Sequence, residues 1–183
     1  MNLAWLVTAL YGGPLALWLY LMIGRPNAVT GHHLVRPHWQ GVTASTLHCG
    51  SGCTLGDILA EWLMFAFPFT LFGRAFYSAW LIDYACAFLL GIAFQYWSIK
   101  PMQRVPAGRV IVAAIKADTL SLTAWQVGMY GGMAISIYLI FGRELGKTNP
   151  VFRFVMQWSM LLGFVTSYPV NVWLLPRGIK EAR

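Results

Sequence analysis

Residues 44–72 read Ala44-Ser-Thr-Leu-His48-Cys49-Gly50-Ser-Gly52-Cys53-Thr-Leu-Gly56-Asp57-Ile-Leu-Ala-Glu61-Trp-Leu-Met64-Phe-Ala-Phe-Pro68-Phe-Thr-Leu-Phe72. The stretch is longer than the roughly 20 residues a helix needs to cross hydrocarbon. It is mostly apolar, yet it carries an imidazole, two thiols and two carboxyls. Whether such a segment is a soluble core helix or a membrane span turns on the rest of the chain. Of the 183 residues, 58% are hydrophobic and 10% charged, with 9 Trp, 8 Tyr and 11 Phe. Ordinary globular domains are roughly 45–50% apolar and about 25% charged. A core of this size cannot hide that much apolar side chain from water, so the expected solvent is lipid. This excludes a soluble enzyme, a disordered tail, a disulfide-stapled secreted module and a DNA-binding domain. The formal charge of +7 then points to cytoplasmic loops and anionic headgroups, with no nucleic-acid partner.

Working outward from residues 44–72, four further apolar runs appear, at Leu3–Ile23, Tyr77–Ile99, Val110–Phe141 and Val151–Leu175. The fold class expected is therefore all-α, an integral membrane bundle of five transmembrane helices. Residues 1–43 would form an N-terminal helix and a His-bearing loop, and 44–183 a four-helix membrane domain. The first run lacks a basic leader and a small-residue cleavage site, so it reads as a retained span, bent at Pro14. Arg25, Arg36, Lys100, Arg104, Arg109, Arg177, Lys180 and Arg183 fall on one side of this topology, against Arg74, Arg143 and Lys147 on the other. The positive-inside rule then places the N-terminus outside and the C-terminus in the cytoplasm of a multi-pass protein of the bacterial inner membrane.

Short strings recur in order. Leu71-Phe-Gly-Arg74 returns as Ile140-Phe-Gly-Arg143, and Leu89-Leu-Gly91 as Leu161-Leu-Gly163. A tandem two-helix repeat is one reading, with a pseudo-two-fold axis along the membrane normal. Chance recurrence of common residues is the other.

The candidate chemistry lies in His48-Cys-Gly-Ser-Gly-Cys53. Helical positions four apart share a face, so Cys49, Cys53, Asp57 and Glu61 form one drifting stripe. Thiols, an imidazole and carboxylates on one side of a helix suggest ligands for a soft or borderline ion, Cu(I) or Zn(II). Gly50, Gly52 and Gly56 would let a second helix approach closely. The competing reading makes the thiols small apolar fillers. Cys-x-x-x-Cys is not the spacing of a zinc knuckle, and a disulfide between neighbours four apart is near the limit of reach.

Apart from Glu144 and Glu181, every acid of the chain lies within an apolar run: Asp57, Glu61, Asp83 and Asp118. A charge at a helix centre costs at least about 2.5 kcal/mol on the insertion scale, so these acids should face the bundle interior and find partners. Lys116 is a candidate partner for Asp57 or Glu61, with Asp118 in the same polar cluster; a proton or ion pathway is the alternative. Gln157 and Asn171 are candidate interhelical hydrogen-bonders. Two Met-x-x-x-Met pairs, Met129/Met133 and Met156/Met160, suit either a Cu(I) relay or flexible packing. The loop Gly31-His-His-Leu-Val-Arg-Pro-His38 either gathers metal or sits among headgroups. Tyr168-Pro169 reads as a kink or break in the last run.

The strings Leu47-His-Cys-Gly-Ser-Gly-Cys-Thr-Leu-Gly-Asp57, Lys116-Ala-Asp-Thr-Leu-Ser121 and Ser167-Tyr-Pro-Val-Asn171 together resemble the bacterial membrane family catalogued as domain of unknown function 4396. The likeness covers about residues 44 to 181. It implies a small polytopic membrane protein and supplies no reaction.

The leading functional expectation is an inner-membrane protein that binds or moves copper or zinc. His48, Cys49, Cys53 and Asp57 would be the ligands, with Glu61, Lys116 and Asp118 around them. The alternatives are an accessory subunit of a larger membrane complex and a membrane thiol oxidoreductase. The expected partners are the lipid bilayer and either a second copy of the chain or other membrane subunits.

Overall fold

A computed structural model describes residues 2–24, 37–73, 75–99, 107–142, 146, 148–177 and 180. The fold is all-α. Among the described residues there are five helices: α1 (Asn2–Leu19), α2 (His38–Ala66), α3 (Ala75–Ile99), α4 (Ala107–Ile135) and α5 (Pro150–Leu174). Helix α1 runs on into a π-helical turn at Tyr20–Gly24, and α4 into another at Ser136–Ile140.

The ends of these helices follow local chemistry. Pro37 stands immediately before α2 in an extended conformation (φ −53°, ψ 140°), where its missing N–H costs nothing. Phe67 ends α2 with φ −133° and ψ 74°, because Pro68 disfavours a helical residue before it. The second run is therefore a helix from His38 to Ala66 and not from 44 to 72. Asn149 caps α5 by accepting a 2.9 Å hydrogen bond from the Val151 N–H, with Pro150 opening the helix. The break in α1 falls at Gly13 (φ 49°, ψ −130°), next to Pro14. Helix α5, by contrast, continues through Pro169, so the expected break there does not occur.

Helices α2 and α4 are each 29 residues long, and α3 and α5 each 25. Gly73 (φ 74°) follows α2, and Gly142 (φ 62°) follows the end of the α4 segment. Both occupy left-handed backbone, which glycine adopts without a side-chain clash.

The core joins α2, α3, α4 and α5 through Cys49, Cys53, Ala87, Leu122, Trp125, Met129 and Met160. Close helix contacts rest on small residues. A Cβ on Gly56 would lie 2.5 Å from the Ala87 Cα, and one on Gly163 would lie 2.9 Å from Trp125 Nε1. Helix α1 packs on α2, where Ser51 Oγ donates to the Ala4 carbonyl at 2.9 Å.

Five transmembrane spans were expected. Among the described residues, one helical segment, Ala4–Gly24 at 21 residues, is long and apolar enough to cross a membrane by length and composition. Tyr77–Ala93 in α3 is a shorter apolar helix. The other helices carry Ser, Thr, Asp, Gln and Asn on faces turned into the bundle, and these dilute their apolar character. His32 and His33, and Arg25, Arg36, Arg74, Lys100, Arg104, Arg143, Lys147 and Arg183, on which the loop and orientation readings partly depend, lie outside the described residues.

Candidate functional site

Helices divide the candidate residues between two ends of the bundle. Cys49 and Cys53, one turn apart on α2, are close enough to hydrogen-bond one another, and Cys49 also meets Ser121 of α4. Both thiols are buried in the core beside Leu122 and Trp125. His48 is half-buried on the adjacent face. Asp57 stands eight residues beyond Cys49, roughly 12 Å along the axis. It turns toward α3, where its carboxyl comes within hydrogen-bonding reach of Asp83.

That geometry corrects the copper and zinc assignment. Among the described residues no group of three or more His, Cys, Asp and Glu side chains is placed to hold a metal ion. A shared helix face is not a convergence point: zinc bonds run about 2.0–2.3 Å, and a stripe through Cys49, Cys53 and Asp57 is spread over more than two turns. Met129 and Met160 belong to the central core, and Met133 packs with Ile137 and Val155. The thiol-oxidoreductase alternative is corrected as well. Cys49, Cys53 and Cys86 are free and buried, and no disulfide joins them.

At one end of the bundle, Asp118 faces inward while Lys116, two residues away and so on nearly the opposite side of α4, is exposed. The expected pairing of Lys116 with Asp57 or Glu61 is not seen among the described residues. Asp118 is instead paired with Lys180, whose Nζ lies 3.8 Å from Oδ1. Lys180 also donates to Ser121 Oγ at 3.2 Å. Asn171 Nδ2 donates to the same Ser121 Oγ at 2.8 Å, and Ser167 Oγ donates to the Ser121 carbonyl at 2.9 Å. Asp118 and Ser121 of the second string quoted above and Ser167 and Asn171 of the third thus form one buried network closed by Lys180.

At the other end lies a cavity of about 620 Å³. Its walls come from the C-terminal halves of α2 and α4 and the N-terminal halves of α3 and α5, with Phe69, Thr70 and Gly146 from the connections. Asp57 and Asp83 line its inner part, roughly 13 Å in from the end of α2 at 1.5 Å per residue. Each is 6% exposed. Tyr130 Oη sits 2.6 Å from Asp83 Oδ2, as donor, and its ring stacks on Trp80 with centroids 4.8 Å apart. Asp57 Oδ2 and Asp83 Oδ1 have no hydrogen-bond donor among the described residues. Glu61 lies farther out on the same wall, with Met129, Met133, Met156, Phe65 and Phe152 supplying the apolar surface.

Asp57, expected as a metal ligand, and Glu61, expected beside it, both line this cavity. Asp83 was marked only as an acid within an apolar run, and Trp80 and Tyr130 were missed. Nothing in their local spacing announces a stack across two helices; the only available signal was that Asp83, like Asp57, needs an interior partner.

Residues 38–180 match the family model described as "Domain of unknown function (DUF4396)". No curated protein and no solved structure matches the chain. The matched segment takes in α2 to α5, the cavity, and the Asp118–Lys180 pair, and on that coverage the chain belongs to the DUF4396 family.

Proposed function

We propose that all five helices lie in a bilayer and that the protein binds a small, largely apolar molecule in the cavity between α2, α3, α4 and α5. The membrane reading is supported by the inversion of the usual surface. Phe65 is 81%, Leu89 67% and Phe154 68% exposed, while Ser45, Ser121, Gln126, Ser167 and Asn171 are buried. A soluble bundle does the reverse, whereas helices in lipid meet through small and polar residues and turn large apolar ones outward. The equal lengths of α2 and α4, and of α3 and α5, with a left-handed glycine in the connection after α2 and another after the α4 segment, support the tandem two-helix repeat. Under the positive-inside orientation the cavity opens away from the cytoplasm.

The observation that carries the binding reading is the cavity itself. About 620 Å³ falls within the roughly 300–1,000 Å³ of small-molecule sites, which are mostly apolar with a few placed polar groups. Thioether walls at Met129, Met133 and Met156 adapt to an irregular ligand.

The test is binding of the neutral fluorophore N-phenyl-1-naphthylamine to the protein in lipid nanodiscs, with empty nanodiscs as reference. Saturable binding is expected, and it should be lost when Ala60→Trp or, separately, Met133→Trp fills the cavity from opposite walls. Signal equal to that of empty nanodiscs would overturn the reading.

A further inference from the structure

We infer that the natural ligand of this cavity is an organic monocation: an ammonium or quaternary ammonium group on an apolar, ring-sized body. The inference rests on the binding reading above and adds its charge. Asp57 from α2 and Asp83 from α3 are both more than nine-tenths buried and both line the cavity. Their oxygens are only partly used. Asp57 and Asp83 come within hydrogen-bonding reach of one another, Gln126 stands beside Asp83, and Tyr130 donates to Asp83 Oδ2, yet Asp83 Oδ1 and Asp57 Oδ2 find no donor among the described residues. A buried acceptor left unmade is costly, more so when charged. Two such carboxyls on one wall call for a positive charge brought by the ligand.

The rest of the wall selects among ligands. No Lys, Arg or His is among the described residues that line the cavity, so an anion would meet carboxyls with nothing to offset them. A bare metal ion is excluded by the donor geometry already described, and it would leave most of the volume empty. An organic cation fits both parts: its charged head faces Asp57 and Asp83, and its body fills the thioether and aromatic surface. The stacked rings of Trp80 and Tyr130 beside the acids add a face that attracts cations.

The same bundle shows how it satisfies another buried acid. At the other end, Asp118 receives the chain's own ammonium from Lys180 at 3.8 Å. At Asp57 and Asp83 no basic side chain among the described residues plays that part, and a cavity takes its place.

The experiment is equilibrium dialysis of the protein in zwitterionic-lipid nanodiscs against tetraphenylphosphonium and tetraphenylborate, a cation and an anion of nearly the same shape. The neutral fluorophore serves as third probe, and empty nanodiscs correct for partitioning. Tetraphenylphosphonium should bind at least tenfold more tightly than tetraphenylborate. Asp57→Asn and Asp83→Asn, which keep the shape and an acceptor for Tyr130, should each reduce that ratio tenfold or more. Unaltered elution and thermal unfolding of the two variants would show that they remain folded. If the neutral probe binds but the cation holds no advantage, or if the advantage survives both substitutions, the charge assignment is overturned and the cavity reading stands. If none of the three probes binds, the cavity reading itself fails.

Discussion

Lys180 delivers its ammonium to within 3.8 Å of the Asp118 carboxylate at a place where the two side chains are only 1% and 2% exposed. A residue six positions beyond the end of α5 thus reaches back into the bundle and closes the Ser121–Ser167–Asn171 network. Removing one member leaves the other charge buried without its counterion, which costs about 3–5 kcal/mol. Lys180→Met and Asp118→Asn should each lower stability by that order in detergent-solubilised protein followed by thermal unfolding. The double variant removes both charges and should recover much of the loss. Strict additivity of the two single effects would show that the contact is not an energetic pair.

The three glycines of the Cys motif should respond differently to alanine, although the sequence presents them as equivalents. A Cβ on Gly50 would run into the Trp125 ring, and one on Gly56 would lie 2.5 Å from the Ala87 backbone, whereas one on Gly52 would meet nothing nearer than 3.5 Å. Overpacking a filled core costs typically about 1–3 kcal/mol. A glycine to alanine change in an unstrained helix gains up to about 1 kcal/mol. Gly52→Ala should therefore leave the unfolding temperature unchanged or raise it. Gly50→Ala should lower it, and Gly56→Ala should lower it most, because backbone cannot move aside as a ring can. A uniform response across the three would contradict the packing described.

The limits of the sequence reading have the same physical origin in each case. Apolar runs located all five helices because hydrophobic burial acts on whole segments, while their ends were decided by single residues: Pro37 and Pro68 moved α2 from 44–72 to 38–66. The four-residue spacing of Cys49, Cys53 and Asp57 correctly gave a shared face. It carried no information on which helix each side chain meets, and Asp57 goes to Asp83 while Cys49 goes to Cys53 and Ser121. Lys180 counted only toward the orientation, because its position in sequence says nothing of the Asp118 side chain it meets. Pairings between helices are long-range facts, and periodicity within one helix does not encode them.

Enclosure of the thiols gives a third test, aimed at the corrected metal assignment. Cys49 and Cys53 are 3% and 0% exposed in the core, with hydrophobic neighbours on α3, α4 and α5. Membrane-permeant N-ethylmaleimide should leave them unmodified in the folded protein and label them once it is denatured, with mass spectrometry assigning the sites. A ligand that binds only the folded state raises stability by mass action, so Cu(I) or Zn(II) at micromolar excess should not shift the unfolding temperature. Rapid labelling of the native thiols together with a metal-dependent shift would restore the metal reading.

Membrane embedding of α3, α4 and α5 is tested by placing charge on their outward faces. Leu89, Val127 and Val165, each near the middle of its helix, are 67%, 64% and 63% exposed. In a soluble bundle, lysine at an exposed apolar position is benign and improves solubility. In a helix that crosses lipid, the same change costs about 2.5–3.5 kcal/mol on the insertion scale. Leu89→Lys, Val127→Lys and Val165→Lys should each reduce the fraction of chain recovered in carbonate-washed membranes, and the triple variant should abolish it. Lysine at Thr148, exposed in the connection before α5, is the control that should be tolerated. Soluble, monodisperse protein from the triple variant would mean that the apolar surface is covered by something other than lipid.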